Sequence, residues 1–122
     1  MCQVYIFANW VIDKQAYRAV EYGIMEVHFR DNDLDRLEID PDFNGGFPDA
    51  VVTAYRKVMH IIRSAPDERT FFALRSLRFE KLKGSRSHQH SMRLNDQWRL
   101  IIELSGKGNG KVIFIISIED YH

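Results

Sequence analysis

The stretch from Arg78 to Arg99 carries the side chains best suited to bind an anion. It holds six lysines and arginines against two acids, although the whole chain of 122 residues has a formal net charge of zero. A basic run of this kind indicates a polyanionic partner such as a nucleic acid. The cations are Arg78, Lys81, Lys83, Arg86, Arg93 and Arg99, and the acids are Glu80 and Asp96.

Two parts of the sequence match the chemistry of RNA cleavage without a metal. RNA supplies its own nucleophile, the 2′-hydroxyl, so a protein must add a base, an acid and a fixed cation. An unperturbed imidazole titrates at a pH of about 6.5, and the imidazole of His122 stands beside Asp120 and Tyr121 directly after a predicted strand. Arg99 has a planar guanidinium that matches two phosphate oxygens. These residues are therefore candidates for the centre of a nuclease.

Each of these groups also has a simpler explanation. Asp120-Tyr121-His122 could be a frayed end, because terminal residues are usually poorly ordered. Arg99 is also compatible with an ordinary surface ion pair to Glu103 or another acid. The residue types alone leave both alternatives open.

Further basic and histidine side chains are candidates for RNA binding. Lys83 and Arg86 lie in a predicted turn, where they either hold the RNA backbone or are solvated turn charges. His88 and His90 lie two residues apart and lack a third ligand, which makes a poor zinc site. We predict that they contact or stack on RNA, with exposed loop residues as the alternative.

One acidic segment resembles a metal-binding loop. Asp31-Asn32-Asp33-Leu34-Asp35 has the spacing that begins a calcium loop, but the sixth position is Arg36 instead of glycine and the twelfth is Asp42 instead of glutamate. The sequence therefore predicts no metal site and no cofactor.

The pattern of apolar residues predicts an α+β layout that positions these groups. Apolar residues recur at intervals of three and four after Asp49, which is typical of a long amphipathic helix, and the chain changes to strand patterns after Ser76. Asn95-Asp96 predicts a hairpin. Predicted helices cover residues 31–38, 49–65 and 67–74, and predicted strands cover 25–29, 77–82, 89–94, 97–104 and 111–118.

The strand prediction puts basic side chains on one surface. Side chains two apart in a strand share a face, so Arg93 shares a face with Ser91, and Arg99 shares a face with Gln97. Trp98 points the other way, and we assign it to the core because large aromatic side chains are mostly buried.

Length and composition favour one domain in a reducing compartment. A chain of 122 residues with 45% hydrophobic residues suits a single compact domain. The single cysteine, Cys2, excludes an intramolecular disulfide and fits the cytosol. Residues 4–12 are apolar but far shorter than the roughly 20 residues of a membrane span, and no Lys or Arg precedes them as in a signal peptide. We expect a cytoplasmic protein without an anchor.

Three motifs together resemble one known family. They are Leu82-Lys83-Gly84, the pattern Ser91-x-Arg93-x-Asn95-Asp96-Gln97-Trp98-Arg99, and the terminal Asp120-Tyr121-His122. This combination resembles the HigB branch of the RelE-like toxin superfamily, the plasmid maintenance killer proteins, from about Met25 to His122. The resemblance implies a RelE-like α+β fold, with an N-terminal strand and two or three helices packed on one face of a mostly antiparallel sheet.

The resemblance also implies a function. Such toxins of type II toxin-antitoxin systems are metal-independent endoribonucleases that cleave mRNA on the translating ribosome and so inhibit translation and growth. By this resemblance Asp120, Tyr121 and His122 perform the acid–base work and Arg99 contacts the scissile phosphate. The implied partner is a HigA-like helix-turn-helix antitoxin, and DNA is reached only through the antitoxin complex.

The chain departs from part of the family at Glu80. Some relatives have a catalytic histidine at this place. A carboxylate can replace it as the base, although the unperturbed pKa of a glutamate, about 4.3, makes it a weaker base unless burial raises that pKa. The alternative is that Glu80 merely pairs with Lys81 or Arg78.

Two other functions stay open. One is a non-nucleolytic toxin of the same fold that poisons gyrase, against which Tyr121-His122 argues. The other is a catalytically inactive module that binds only the antitoxin or RNA, which is favoured if Glu80 and the terminal residues do not converge. Residues 1–24 precede the matching region, and we interpret them as an extension, with Met25 as the expected true start.

Overall fold

The described part of the chain forms a five-stranded sheet with three α-helices. The computed structural model describes residues 25–106 and 111–121, so the predictions about residues 1–24 and His122 lie outside the described residues. The strands are β1 (Glu26–Phe29), β2 (Glu80–Lys81), β3 (Gln89–Arg93), β4 (Trp98–Ser105) and β5 (Val112–Asp120), and the helices are α1 (Asn32–Ile39), α2 (Asp49–Ser64) and α3 (Arg69–Ala73).

The strand order is β1-β5-β4-β3-β2. β1 pairs with β5 in parallel, and the other neighbouring strands are antiparallel. This topology confirms the predicted α+β layout with a mostly antiparallel sheet. No helix in the described part of the chain is long and apolar enough to cross a membrane.

The helices begin and end where local chemistry predicts. Asp31 is the N-cap of α1, and its Oδ1 accepts a hydrogen bond from the amide of Leu34 at 3.1 Å. α2 begins after Pro48 and ends before Pro66, because proline suits the entry of a helix but not its interior. The predicted third helix is shorter than expected, since it covers only α3 and is followed by a 3₁₀ turn over Arg75–Leu77.

One side of α2 packs against one face of the sheet and forms the core. The apolar residues recur at intervals of three and four, so they lie on one side of the helix. Burial of each such side chain contributes about 1.5–3 kcal/mol. The buried residues of α2 are Val51, Val52, Tyr55, Val58, Met59 and Ile62, and those of the central strands are Met92, Leu100, Ile102, Ile113 and Ile115.

The apolar periodicity of α2 predicts that Arg56 lies on the exposed side of the helix, but Arg56 is half-buried and ties α2 to the end of α1. Its Nε donates to the carbonyl of Leu37 at 2.9 Å, and its Nη2 donates to the carbonyls of Asp40 at 2.8 Å and Phe43 at 3.1 Å. The last carbonyls of a helix have no partner within the helix, so the guanidinium caps α1.

The hairpin between β3 and β4 forms without a glycine. The side-chain oxygen of Asn95 accepts hydrogen bonds from the amides of Gln97 at 2.9 Å and Trp98 at 2.8 Å. An Asn side chain that bonds its own backbone two residues later imitates a tight turn. This turn fixes the register in which Arg93 lies directly opposite Arg99.

β5 contains one extra residue, Ile116. Its neighbours Ile115 and Ser117 pair with adjacent residues of β4, so Ile116 has no opposite residue there. Such a β-bulge reverses the alternation of side chains beyond it. Because Ile115 faces the helices, unbroken alternation would also turn Ser117 and Glu119 toward them. The bulge directs both residues to the sheet face away from the helices, which we call the outer face.

Two strand predictions need correction. The run of five apolar residues at 112–116 predicts a strand covered on both faces, but Phe114 on the outer face is 36% exposed and stacks on His28. The predicted strand over 77–82 is reduced to β2, because Arg78 adopts a left-handed conformation, with φ 46° and ψ 54°, that interrupts extended structure.

The Arg56 contacts predict that Arg56 contributes much more to the free energy of unfolding than its neighbour Lys57. Replacing Arg56 by Ala removes three hydrogen bonds from a charged donor and should lower the free energy of unfolding by about 2 kcal/mol. Lys57 is exposed, and Lys57→Ala should change the free energy of unfolding by less than about 0.5 kcal/mol. Urea denaturation of both variants measures the difference, and equal losses would contradict the capping role.

Candidate phosphate-binding and catalytic site

Two arginines form a cross-strand pair on the outer face. Arg93 of β3 and Arg99 of β4 lie directly opposite each other. Side chains in such a pair have Cβ atoms about 5 Å apart, and like charges there repel each other. The sequence prediction that both belong to one surface is therefore confirmed, and the pair marks a place where the sheet concentrates positive charge.

A cavity of about 450 Å³ opens beside this pair. Two of its arginines come from the segment between α3 and β2, which passes next to the ends of β3 and β4. The Nη1 of Arg99 donates a long hydrogen bond, 3.4 Å, to the carbonyl of Arg78 and so joins the two parts. The cavity, which we call the arginine cavity, is lined by Arg75, Ser76, Arg78, Arg93, Asp96 and Arg99.

The charges of the arginine cavity are mostly not compensated. Asp96 forms an ion pair with Arg93. Within the described ranges, Arg75, Arg78 and Arg99 have no carboxylate within ion-pair distance. The cavity therefore carries an excess of three positive charges, which favours an anionic ligand.

The end of β5 meets this cavity at Arg99. The ring of Tyr121 lies 5.7 Å from the guanidinium of Arg99. The amide of Tyr121 donates to the carbonyl of Gln97 at 2.6 Å, and the side-chain amide of Gln97 donates to Asp120 at 3.0 Å. Tyr121 and Asp120 are thus held at the end of the hairpin. His122, which is bonded to Tyr121, lies outside the described residues.

Arg86 crosses the outer face instead of projecting from it. Its Nε donates to Gln89 on β3 at 2.9 Å, and its two Nη atoms donate to the carboxylate of Glu119 on β5 at 3.0 and 2.8 Å. The side chain thereby passes over β4, where Ile101 on the same face is fully buried. The pKa of Glu119 is held below its usual range, mainly by the hydrogen bonds from the Arg86 guanidinium and to a lesser extent by a hydrogen bond from Ser117. An RNA contact by Arg86 stays a prediction.

Glu80 and Lys83 are exposed on and beside the edge strand. Glu80 lies opposite Ser91, which puts it on the outer face with Arg93 and Arg99. Within residues 25–106 and 111–121 its carboxylate forms no ion pair with Lys81 or Arg78. Its predicted role as a base is therefore open. Lys83 precedes a 3₁₀ turn over Gly84–Arg86, and its predicted RNA contact is untested.

The two histidines lie in different surroundings and do not share a strand face. His88 is in a turn, with its Nε2 3.5 Å from Glu103. His90 is in β3 and stacks on Phe79 with ring centroids 4.7 Å apart, on the side of the sheet opposite Arg93. Burial lowers the pKa of His90, and Lys81 lowers it further. These contacts favour packing for His90, and its RNA contact stays a prediction.

Trp98 packs into the core side as expected. It is half-buried against the core cluster, and Phe47 meets it edge-on with ring centroids 5.7 Å apart. Trp98 therefore supports β4 from behind while its neighbour Arg99 faces outward.

Sequence reasoning missed the contribution of Arg75 and assigned Arg78 to the basic run without a site role. Arg75 follows the predicted helix 67–74 and Arg78 lies in the predicted strand 77–82, so their proximity to Arg99 was not visible. The sequence carried no signal for it, because neither the 3₁₀ turn over Arg75–Leu77 nor the left-handed conformation of Arg78 was predicted. No group of three or more potential metal ligands occurs in the described residues.

Comparisons with known proteins agree on the fold. A solved structure titled "YoeB/ParE toxin from Agrobacterium tumefaciens" matches 80% of this chain and 100% of its own, with a TM-score of 0.52 and 16% sequence identity. At this identity the match shows the fold alone, a small α+β domain. A comparison with curated protein sequences gives no significant match.

The family follows from the sequence itself. A family model described as "RelE-like toxin of type II toxin-antitoxin system HigB" matches residues 27–122. The chain therefore belongs to the HigB-like family of RelE-like toxins. It is the toxin component of a type II toxin-antitoxin system, which implies a protein antitoxin as its partner.

The Arg86–Glu119 pair predicts a pH dependence of stability. The folded pKa of Glu119 is lowered from 4.5, so the unfolded chain takes up the proton first as the pH falls. The pair's stabilisation is therefore present above about pH 4.5 and is lost as the pH falls through the folded pKa. Thermal midpoints of wild type and Glu119→Gln should differ more at pH 7 than at pH 3.

A double-mutant cycle with Arg86→Ala assigns this effect to the pair. On the Arg86→Ala background, Glu119→Gln should cost little at pH 7, because the partner is already absent. A cost equal to that in the wild-type background would show that Glu119 stabilises the fold independently of Arg86.

Proposed function

We propose that this protein is a metal-independent endoribonuclease that cleaves mRNA on the translating ribosome and thereby inhibits translation and growth. The observation that carries the proposal is the contact between Tyr121, at the end of β5, and Arg99, at the edge of the arginine cavity. A residue with an ionisable side chain thus lies beside cations suited to a phosphate, and His122 follows it directly in the chain.

The proposed reaction uses the RNA's own hydroxyl. A base removes the proton of the 2′-hydroxyl, the oxygen attacks the adjacent phosphorus, and the bond from phosphorus to the 5′-oxygen breaks. An acid gives a proton to the leaving 5′-oxygen, so the products are a 2′,3′-cyclic phosphate and a 5′-hydroxyl. Negative charge on the two non-bridging oxygens is stabilised by a fixed guanidinium.

The residues of the site divide this work. His122 takes part in proton transfer, since an unperturbed imidazole titrates near neutrality. Asp120 and Tyr121 assist it, with Asp120 oriented by its hydrogen bond from Gln97. Arg99 binds the scissile phosphate through its planar fork.

Other groups on and near the outer face complete the proposal. Glu80 is a second candidate base, since it lies on the same face as Arg99 and has no ion-pair partner among the described residues. Arg93 and Lys83 contact neighbouring backbone phosphates. Arg86 and His88 stay in the proposed RNA surface as peripheral contacts. The RNA contact of His90 stays a prediction, although its ring stacks on Phe79 on the opposite side of the sheet.

The proposed partners follow from membership of the HigB-like family. The antitoxin is proposed to be a HigA-like helix-turn-helix protein that neutralises this toxin by binding it. The mRNA is proposed to be presented by the ribosome, which would also contribute to target choice. DNA contact is proposed only through the antitoxin complex.

The proposal predicts separate effects of two site residues on RNA cleavage. His122→Ala should lower the cleavage rate about 10²- to 10⁴-fold, because it removes a general acid–base group. Arg99→Ala should lower it about 10²- to 10³-fold, because it removes a fixed cation at the developing charge. Arg99→Lys should recover part of the loss, since it restores the charge but not the fork.

Controlled expression followed by mapping of mRNA ends measures these rates in cells, and translation assays with purified ribosomes measure them in vitro. Lys57→Ala on α2 is the matched control, because it also removes one exposed cation but lies on a helix away from the outer face. Undiminished cleavage by His122→Ala would refute the assignment. Loss of DNA supercoiling without loss of mRNA would indicate a gyrase poison instead.

A further inference from the structure

The arginine cavity contains more positive charge than one scissile phosphate requires. Five of the six arginines outside the cavity in the described residues have partners of their own, Arg30 being the exception: four pair with carboxylates, and Arg56 bonds three carbonyls. Arg75 and Arg78, by contrast, line the cavity and have no carboxylate partner within residues 25–106 and 111–121. Uncompensated like charges at one place favour an anion there.

The backbone at Arg78 adds a second, independent observation. Arg78 is the one non-glycine residue with positive φ in the described part of the chain. Only glycine adopts this conformation freely, so an arginine there is held under strain by its surroundings. Strain of this kind is found preferentially at ligand-binding sites. The conformation also directs the carbonyl of Arg78 to Arg99.

Arg99 has two sets of neighbours. Tyr121 contacts the guanidinium of Arg99 but does not line the cavity, whereas Arg75 and Arg78 line the cavity. A volume of about 450 Å³ is enough for a nucleotide. Arg99 can therefore contact two successive groups of a bound chain.

We propose that Arg75 and Arg78, together with Arg99, form a binding site for a second backbone phosphate of the RNA, next to the phosphate that is cleaved. This inference rests on the proposed function. All six residues that line the cavity are polar or charged, which favours a phosphate over a protein segment that needs an apolar anchor. The site positions RNA and takes no part in proton transfer.

The test measures RNA binding without cleavage. The full-length His122→Ala protein is the background, and the probe is a single-stranded oligoribonucleotide of mixed sequence titrated at several salt concentrations. Arg75→Ala and Arg78→Gly should each weaken binding by at least about three-fold and reduce the slope of log K against log salt by roughly 0.7. Arg36→Ala, which removes an exposed arginine of α1, should leave both quantities unchanged.

Arg78→Gly separates binding from folding. Glycine accepts the positive φ of this position, so this variant should keep or raise the thermal midpoint while it weakens RNA binding. If Arg78 had only a structural role, the same variant would lower the thermal midpoint and leave RNA binding unchanged. Inorganic phosphate serves as a second probe, and its binding should be weakened by the same two substitutions.

The outcomes are distinguishable from those of the nuclease test. If wild type does not cleave RNA but both substitutions still weaken RNA binding, the nuclease proposal fails and the phosphate site stands. If both variants bind RNA as Arg36→Ala does, the phosphate site is refuted even if cleavage is intact. If they keep RNA binding but lose binding of the antitoxin, the cavity belongs to the protein partner, and the proposal is overturned.

Discussion

The geometry of the site depends on one extra residue in β5. Ile113 and Ile115 pack in the core between the sheet and the helices. Without a bulge, the side chains beyond them would alternate so that Glu119 faced the core side. The bulge at Ile116 reverses this order, so that Glu119 meets Arg86 and Tyr121 meets Arg99 on the outer face. The first half of β5 can therefore pack its apolar side chains against the helices while the second half presents Glu119 on the outer face.

The arginine cavity opposes folding instead of stabilising it. Arg93 and Arg99 repel each other across the strands, and only Asp96 compensates for part of the charge. The rest of the molecule must supply this energy, mainly through the core between α2 and the sheet. Arg86 shows the contrasting arrangement, because its charge is matched by Glu119 and serves the fold. Arginines that are paired with a carboxylate of the fold thus differ from arginines whose charge is available for a ligand, and the sequence does not show which are which.

Much of the fold could be predicted because local chemistry determined it. The apolar periodicity of α2, the N-cap at Asp31 and the Asn95 turn each have a sequence signal that the structure follows. The bulge had none, since residues 112–116 are all apolar and no alternation could be read from them. Arg78 gave no warning either, because an arginine side chain does not favour the positive φ that this residue adopts. The two features that the sequence did not predict, the bulge and the conformation of Arg78, both lie at the site, where the structure departs from the local conformational preference of the residues.

Two backbone features, separated in sequence, must therefore agree for the site to exist. The Asn95 turn sets the register that pairs Arg93 with Arg99, and the bulge sets the face on which Tyr121 arrives. No attraction among the cations can assemble them, because they repel one another. The turn and the bulge instead hold them in place through backbone hydrogen bonds and the buried residues of β4 and β5. A site preorganised in this way needs little rearrangement when an anion enters, so that most of the electrostatic energy is available for binding and for the developing charge of the reaction.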